Sequence, residues 1–259
     1  MSTLKVYIVA VGDELLSGRV LDYNTHWIAK RLSGVGFNIA GASIVPDDKE
    51  EIVEAVRRAL SKADLTVITG GLGPTPGDIT LEALAEALNR NLSLNDDALE
   101  MVKDRYRELY EVGHIKTLEM TPEREKMARI PEGGTPIFNA VGIAPGVMVE
   151  HQGKVVLALP GVPSEMMYLL EKALPSLERM SGPVFVSVED TVDVGDESVI
   201  ARALREVMAE FPEVSIKSYP SGFGGKVKMR IIASMKAEDR EGAGKHLREA
   251  IRKLKEKLV

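Results

Sequence analysis

Three short apolar runs, each followed by an amphipathic stretch, constrain this chain more than any other feature. Leu4–Val11, Asn38–Val45 and Leu65–Thr69 are rich in β-branched residues and short enough to be strands. After the first, Thr25–Leu32 reads as a helix, with Asn24 as its N-cap and Gly34 beyond its end. After the second, Asp47 or Asp48 caps a helix running to about Ser61, with Ile52, Val53, Val56 and Leu60 on one face. After the third, Leu81, Leu84, Ala85 and Leu88 fall at helical spacing. A β-α-β-α-β-α order packs as an open, mostly parallel sheet covered by helices on both faces, an α/β architecture.

Downstream, the polar stretch Asp96–Lys126 reads as a helical insertion or lid, with Asn95 and Thr121-Pro122 as helix-start signals. Val147–Glu150 and Val155–Leu159 form a hairpin across His151–Lys154, and Pro160–Met166 opens another helix. The pattern resets near Ser181-Gly182-Pro183. Strands over Val184–Val188, Val214–Tyr219 and Lys226–Ala233, with helices over Glu197–Phe211 and Ala237–Leu258, make a βαββα unit. The expected division is residues 1–172 as a ligand-binding domain and 182–259 as a smaller α+β domain. Trp27 is assigned to core packing. Gly222-Phe223-Gly224-Gly225 lies between two strands and reads as a hairpin loop, not as the helix-joining GxxG of a KH module.

Composition excludes several classes of function. With 44% hydrophobic and 28% charged residues, the chain is not disordered. No apolar run approaches the ~18 residues of a membrane span, and Val6–Val11 is too short for a signal peptide, so the protein is expected in the cytoplasm. Cysteine is absent, which excludes disulfides, thiolate nucleophiles and Cys-ligated metals. The four histidines, His26, His114, His151 and His246, show no zinc spacing. A net charge of −6 argues against a broad nucleic-acid surface. The first 181 residues hold 19 basic and 26 acidic side chains, so a phosphate there would be held mainly by backbone N–H groups, helix ends or a metal ion.

The third strand runs straight into Gly70-Gly71-Leu72-Gly73-Pro74-Thr75-Pro76-Gly77-Asp78. Several N–H groups at a helix N-terminus favour an anion, and Gly70, Gly71 and Gly73 let backbone approach a phosphate closely. The competing reading is a tight turn that needs positive φ angles. Asp78 either holds a divalent metal against the phosphate or caps the next helix, and the Thr75 and Thr80 hydroxyls suit both. Asp13, Glu14, Ser17 and Gly18 follow the first strand, and Asp47 follows the second, at the carboxyl edge where doubly wound sheets bind ligands. Asp13 and Glu14 could meet a ribose hydroxyl or a metal, and Ser17 a phosphate. Solvated loop carboxylates, and a helix cap for Asp47, are the structural alternatives. Pro160, Gly161 and Glu165 form a stiff helix entry, and Asn139 with Ala144-Pro145-Gly146 another rigid loop.

In order, Asp13-Glu14-Leu15-Leu16-Ser17-Gly18, Asn24-Thr25, Asp47, Gly70-Gly71-Leu72-Gly73-Pro74-Thr75, Asp78, Thr80, Asn139 with Gly142–Gly146, and Leu159–Met166 resemble the N-terminal part of the CinA (competence/damage-inducible protein A) family, within the molybdopterin-binding superfamily of the MoaB, MogA and MoeA type. The second unit, with Val194-Gly195-Asp196-Glu197-Ser198, resembles the small middle domain of the same proteins. The resemblance implies a three-layer α/β/α fold with a ligand site at the glycine turn, leading roles for Asp47 and Asp78, and Asn24 among the ligand-binding residues. It implies two activities. One is hydrolysis of ADP-ribose to AMP and ribose 5-phosphate with a divalent metal (Mg²⁺, Mn²⁺ or Co²⁺) on Asp78 and Asp13. The other is molybdopterin binding with adenylyl transfer or a carrier role. It also implies a homo-oligomer acting on a small nucleotide or pterin. The family pattern has two adjacent aspartates where this chain has Gly77-Asp78. CinA proteins often continue into a deamidase domain, which is not expected here.

Overall fold

A computed structural model describes residues 4–178, 184–194, 197–220, 227–237 and 239–258. It divides into two compact units. The first begins with β1 (Lys5–Val11), a short α1 (Asp13–Leu16), α2 (Tyr23–Gly34), β2 (Asn38–Val45), α3 (Lys49–Lys62) and β3 (Leu65–Thr69). Next come α4 (Thr80–Ala87), β4 (Leu92–Leu94), α5 (Asp96–Glu111), α6 (Pro122–Lys126), β5 (Arg129–Pro131) and β6 (Gly134–Ile137). The hairpin β7 (Gly146–His151) and β8 (Lys154–Leu159) and then α7 (Pro163–Glu178) complete it.

The main sheet has the order β2-β1-β3-β8-β7-β6. Its first four strands are parallel; β7 pairs antiparallel with β8, and β6 antiparallel with β7. β1 is buried on both faces, as its unbroken apolar run requires. Tyr7, Val9 and Val11 join Ile52 and Val56 of α3 and Leu84 of α4 in one core. Ile28 and Leu32 of α2 and Met166 and Leu169 of α7 are fully buried, and Arg31 of α2 pairs with Glu171 of α7. Helices on both faces make three layers. Truncating a residue such as Ile52 to alanine would cost about 2–5 kcal/mol.

Several helix ends correct the expectations. α2 starts before Asn24, and Asp22 does the capping: its Oδ1 accepts from the Thr25 amide at 2.9 Å. Asn24 lies inside the helix, with its side chain turned inward. α3 is capped by Asp48, which accepts from the Glu51 amide at 3.1 Å, leaving Asp47 outside the helix. Asn95 and Thr121 cap α5 and α6 as expected. Trp27 is only half-buried; Ile28 and Leu32 carry the core contact of α2. The hairpin turn is tighter than read from the sequence, with Gln152 and Gly153 at φ 49° and 75°. β4, β5 and β6 have no counterpart in the sequence reading. The first two have only three residues each, and β6 contains Pro136, tolerated because β6 is an edge strand.

The second unit comprises β9 (Val184–Val194), α8 (Glu197–Glu210), β10 (Ser215–Pro220), β11 (Val227–Ala237) and α9 (Arg240–Lys257), with an antiparallel sheet of order β10-β11-β9. Ile200 and Val207 of α8 and Leu247, Ile251 and Leu254 of α9 share a core with Met229 and Ile231 of β11. β9 outruns its expected end at Val188 because Val192 and Val194 alternate with exposed polar residues, the period of a one-sided sheet. The Ser181–Pro183 boundary, Gly195-Asp196 and the Gly222–Gly225 loop lie outside the described residues. No helix of the described residues is long and apolar enough to cross a membrane.

Candidate functional site

A cleft of about 630 Å³ opens at the carboxyl ends of β1, β3 and β8, bounded by the loop after β6 and by α5. The β2-β1-β3 order makes β1/β3 the point where the winding reverses, which is where open α/β sheets bind ligands. Ten of the residues singled out from the sequence line it: Glu14, Asp47, Gly70, Gly71, Gly73, Thr75, Asp78, Pro160, Gly161 and Glu165.

The glycine turn requires its glycines. Gly70 has φ +107°, and a Cβ there would lie 2.2 Å from the Val11 carbonyl oxygen. Gly71 has φ +69°, and its Cβ would meet Thr80 Oγ1 at 2.3 Å. The Gly70 amide is consumed within the sheet, donating to the Leu159 carbonyl at 3.0 Å. The next three amides, of Gly71, Leu72 and Gly73, have no hydrogen-bond partner among the described residues. Successive N–H groups left open in this way form a concavity suited to an anion.

Asp78 does not cap α4, whose N-cap is Ile79. Its Oδ2 reaches back to accept from the Thr75 amide at 2.8 Å and the Thr75 hydroxyl at 2.6 Å, closing the loop beside Gly73. Asp47, released from capping, accepts from the Asp13 amide at 3.1 Å. Burial pushes the Asp47 carboxyl above its ordinary value. The Asp13 amide opposes that rise, and repulsion from Asp13, Glu14 and Asp78 adds to it. No group of three carboxylate or imidazole side chains among the described residues is arranged to hold a metal ion. A cation here would therefore take one or two carboxylates and complete its shell with ligand oxygens and water, a mode that suits Mg²⁺.

Other residues from the sequence reading sit elsewhere. Asp13 interlocks with Asp47 but does not line the cleft. The Ser17 hydroxyl donates to the Glu14 carbonyl and its amide to the Asp13 carbonyl, so it ends α1. Gly18 is a turn residue at φ +69° with open space around it. Asn24 lines a smaller neighbouring pocket.

Among the lining residues not singled out from the sequence are Arg105, Leu109, Met127 and Val141. The side chain of Arg105 is 13% exposed, and its Nε donates to the Gly142 carbonyl at 2.7 Å. Arg105 brings a guanidinium to the cleft wall, its Nη1 paired with Glu108, and its only sequence signal was a basic residue within the polar insertion. Asn139, 1% exposed, is the hinge of the facing wall. Its Nδ2 donates to Ala144 O and to Glu165 Oε2, at 2.9 and 2.7 Å, while its Oδ1 accepts from the Val141 and Gly142 amides. A Cβ on Gly142 would lie 1.8 Å from Glu165 Oε2. Burial raises the Glu165 carboxyl, against the hydrogen bond from Asn139 and the charge of Arg105.

Residues 7–179 match the family described as "Probable molybdopterin binding domain". The chain belongs to that family. The CinA protein of Thermoplasma acidophilum, a solved structure of unknown function, aligns at a TM-score of 0.63 and 38% identity over 68% of this chain and 98% of that one. Within the family this chain is therefore CinA-like. A protein of Pyrobaculum aerophilum is 43% identical over 219 residues, 84% of this chain and 80% of its own length. One of Pyrococcus horikoshii is 41% identical over 242 residues, 93% of this chain and 92% of its own.

Proposed function

We propose that the first unit binds a nucleotide pyrophosphate of the ADP-ribose type at the glycine turn and hydrolyses it with a divalent cation, Mg²⁺, Mn²⁺ or Co²⁺. The observation that carries this reading is the run of three unpartnered amides, Gly71 to Gly73, lining the cleft beside the Asp47 and Asp78 carboxylates. The cleft volume falls within the ~300–1,000 Å³ typical of small-molecule sites. The amides hold one phosphate, and Arg105 offsets negative charge from the opposite wall. Asp47 and Asp78, which repel one another when empty-handed, attract the cation. When bound, that ion polarises the pyrophosphate and acidifies a water. Water adds to one phosphorus and the bridging P–O bond breaks, giving AMP and ribose 5-phosphate.

Incubation with ADP-ribose and each metal, followed by chromatography for AMP, tests this. Asp78→Asn is the informative variant, because an amide oxygen can still accept from Thr75 and keep the loop closed. A loss of roughly 100-fold is expected, as for removing a metal-positioning group. No AMP with any of the three ions, or full activity in the variant, overturns the reading. The family match favours a second reading, a molybdopterin carrier or adenylyl transferase using the same turn. Calorimetry with molybdopterin against ADP-ribose separates the two.

A further inference from the structure

Beside the main cleft, and sharing Val11, Glu14 and Gly161 with it, lies a second pocket of about 80 Å³. Its walls include Leu15, Val20, Tyr23 and Pro163, and its floor is Asn24. One water needs roughly 10–15 Å³, so this space takes a group of several heavy atoms.

Asn24 is 9% exposed, and its orientation is dictated by its neighbours. The Thr69 hydroxyl donates to the Pro160 carbonyl at 2.9 Å, so it must accept from Asn24 Nδ2, which it does at 3.0 Å. Asn24 Nδ2 also donates to the Gly161 carbonyl at 2.8 Å. Both N–H bonds of the amide are therefore spent on holding the ends of β3 and β8 together. What remains is Oδ1, buried and without a hydrogen-bond partner among the described residues. A buried amide oxygen left unpaired is costly, and native proteins seldom leave one so. An acceptor is also the wrong group for a phosphate. Of the other side-chain oxygens of the pocket, those of Glu14 and Asp22 are carboxylates and likewise accept, the Thr69 hydroxyl is spent on Pro160, and Tyr23 carries a phenol.

We infer that Asn24 Oδ1 accepts a hydrogen bond from a sugar hydroxyl of the bound ligand, with the sugar's apolar face against Leu15 and Val20. The inference rests on the nucleotide reading of the main cleft and narrows it: the ligand carries a free hydroxyl on the sugar attached to the phosphate held by Gly71–Gly73. The phosphate is read by backbone donors, and the sugar by an acceptor whose amide is anchored on Thr69, the last residue of β3 before the glycine turn.

Calorimetry tests this with two ligand pairs, ribose 5-phosphate against 2-deoxyribose 5-phosphate, and AMP against its 2′- and 3′-deoxy forms. Pyrophosphate, which has no sugar, is measured alongside. In the intact protein, one deoxy compound should bind about fivefold or more weakly than its parent, the scale of one neutral hydrogen bond to a buried group. In Asn24→Ala that preference should fall to about twofold or less. Asn24→Ser, checked by its melting curve, guards against a variant that fails to fold, and the ligand series on the intact protein needs no variant. Equal binding of every deoxy compound by the intact protein overturns the inference, as does a preference that survives in the variants. Failure of pyrophosphate itself to bind instead overturns the reading of the main cleft, and the sugar site with it.

Discussion

Gly71→Ala perturbs the turn where conformation and ligand binding coincide. Alanine at φ +69° costs about 1–2 kcal/mol. Its Cβ would also press on Thr80 Oγ1 at 2.3 Å. Thr80 is fully buried, and that hydroxyl donates to the Gly70 carbonyl at 2.8 Å. Displacing it strands a buried acceptor, worth about 1–3 kcal/mol. The expected loss is therefore about 2–5 kcal/mol, a fall in Tm of roughly 5–15 °C for a domain of this size. Urea titration followed by circular dichroism measures it. Thr80→Ala completes a double-mutant cycle: if the clash is with the hydroxyl, the two losses should overlap by about 1 kcal/mol or more. A Gly71→Ala protein within about 0.5 kcal/mol of the parent would refute the reasoning, and strictly additive losses would relocate the clash.

Other substitutions bear on neighbouring features. Asp48→Ala should cost about 1 kcal/mol by uncapping α3, whereas Asp47→Ala should cost less in stability and more in metal dependence; thermal melts and a Mn²⁺ titration distinguish them. A side chain at Gly77 would meet only Thr75 Oγ1, at 3.9 Å, so Gly77→Asp fits and should tighten the apparent Mn²⁺ affinity by about tenfold, ~1.4 kcal/mol. Burial raises the Glu165 carboxyl, so the folded state binds its proton more tightly than the unfolded chain does. Its contribution to stability is complete below the unfolded value of 4.5 and fades as pH rises through the raised folded value. Urea midpoints from pH 4 upward should show that slope in the parent and a flatter profile in Glu165→Gln. Asp47 is raised as well, so metal-free binding of sulfate, which does not titrate in this range, should strengthen on acidification, and Asp47→Asn should abolish that dependence.

The layered sheet was legible because β1, β2 and β3 are unbroken apolar or alternating runs, and such periodicity survives without tertiary information. The glycine turn was legible for a related reason: Gly70 and Gly71 occupy backbone conformations that other residues avoid. Three-residue strands such as β4 carry too few positions for a period to emerge. The carboxylates show where local reading ends. Asp47 and Asp48 are adjacent, and only the geometry of α3 assigns the cap to one and frees the other. Asp78 had two local uses, and the loop it closes with Thr75 was neither of them. Arg105 and Leu109 come to the cleft from the Asp96–Lys126 insertion, distant in sequence from the strand-end residues, and no short motif connects them. Asn24 was read from its local pattern as a helix cap, because it begins an apolar run, and as a ligand residue only through the family resemblance. Its contacts with Thr69 and Gly161 span 45 and 137 residues, beyond the reach of any local rule.

The central claim is that the amides of Gly71, Leu72 and Gly73 hold the phosphate. Proton–nitrogen correlation spectra of the ¹⁵N-labelled protein, titrated with pyrophosphate, observe those amides one by one. All three should move downfield together along one saturating curve, while the Gly70 amide, already bonded to Leu159, moves little. Saturation with pyrophosphate that leaves the three resonances unmoved would contradict the account.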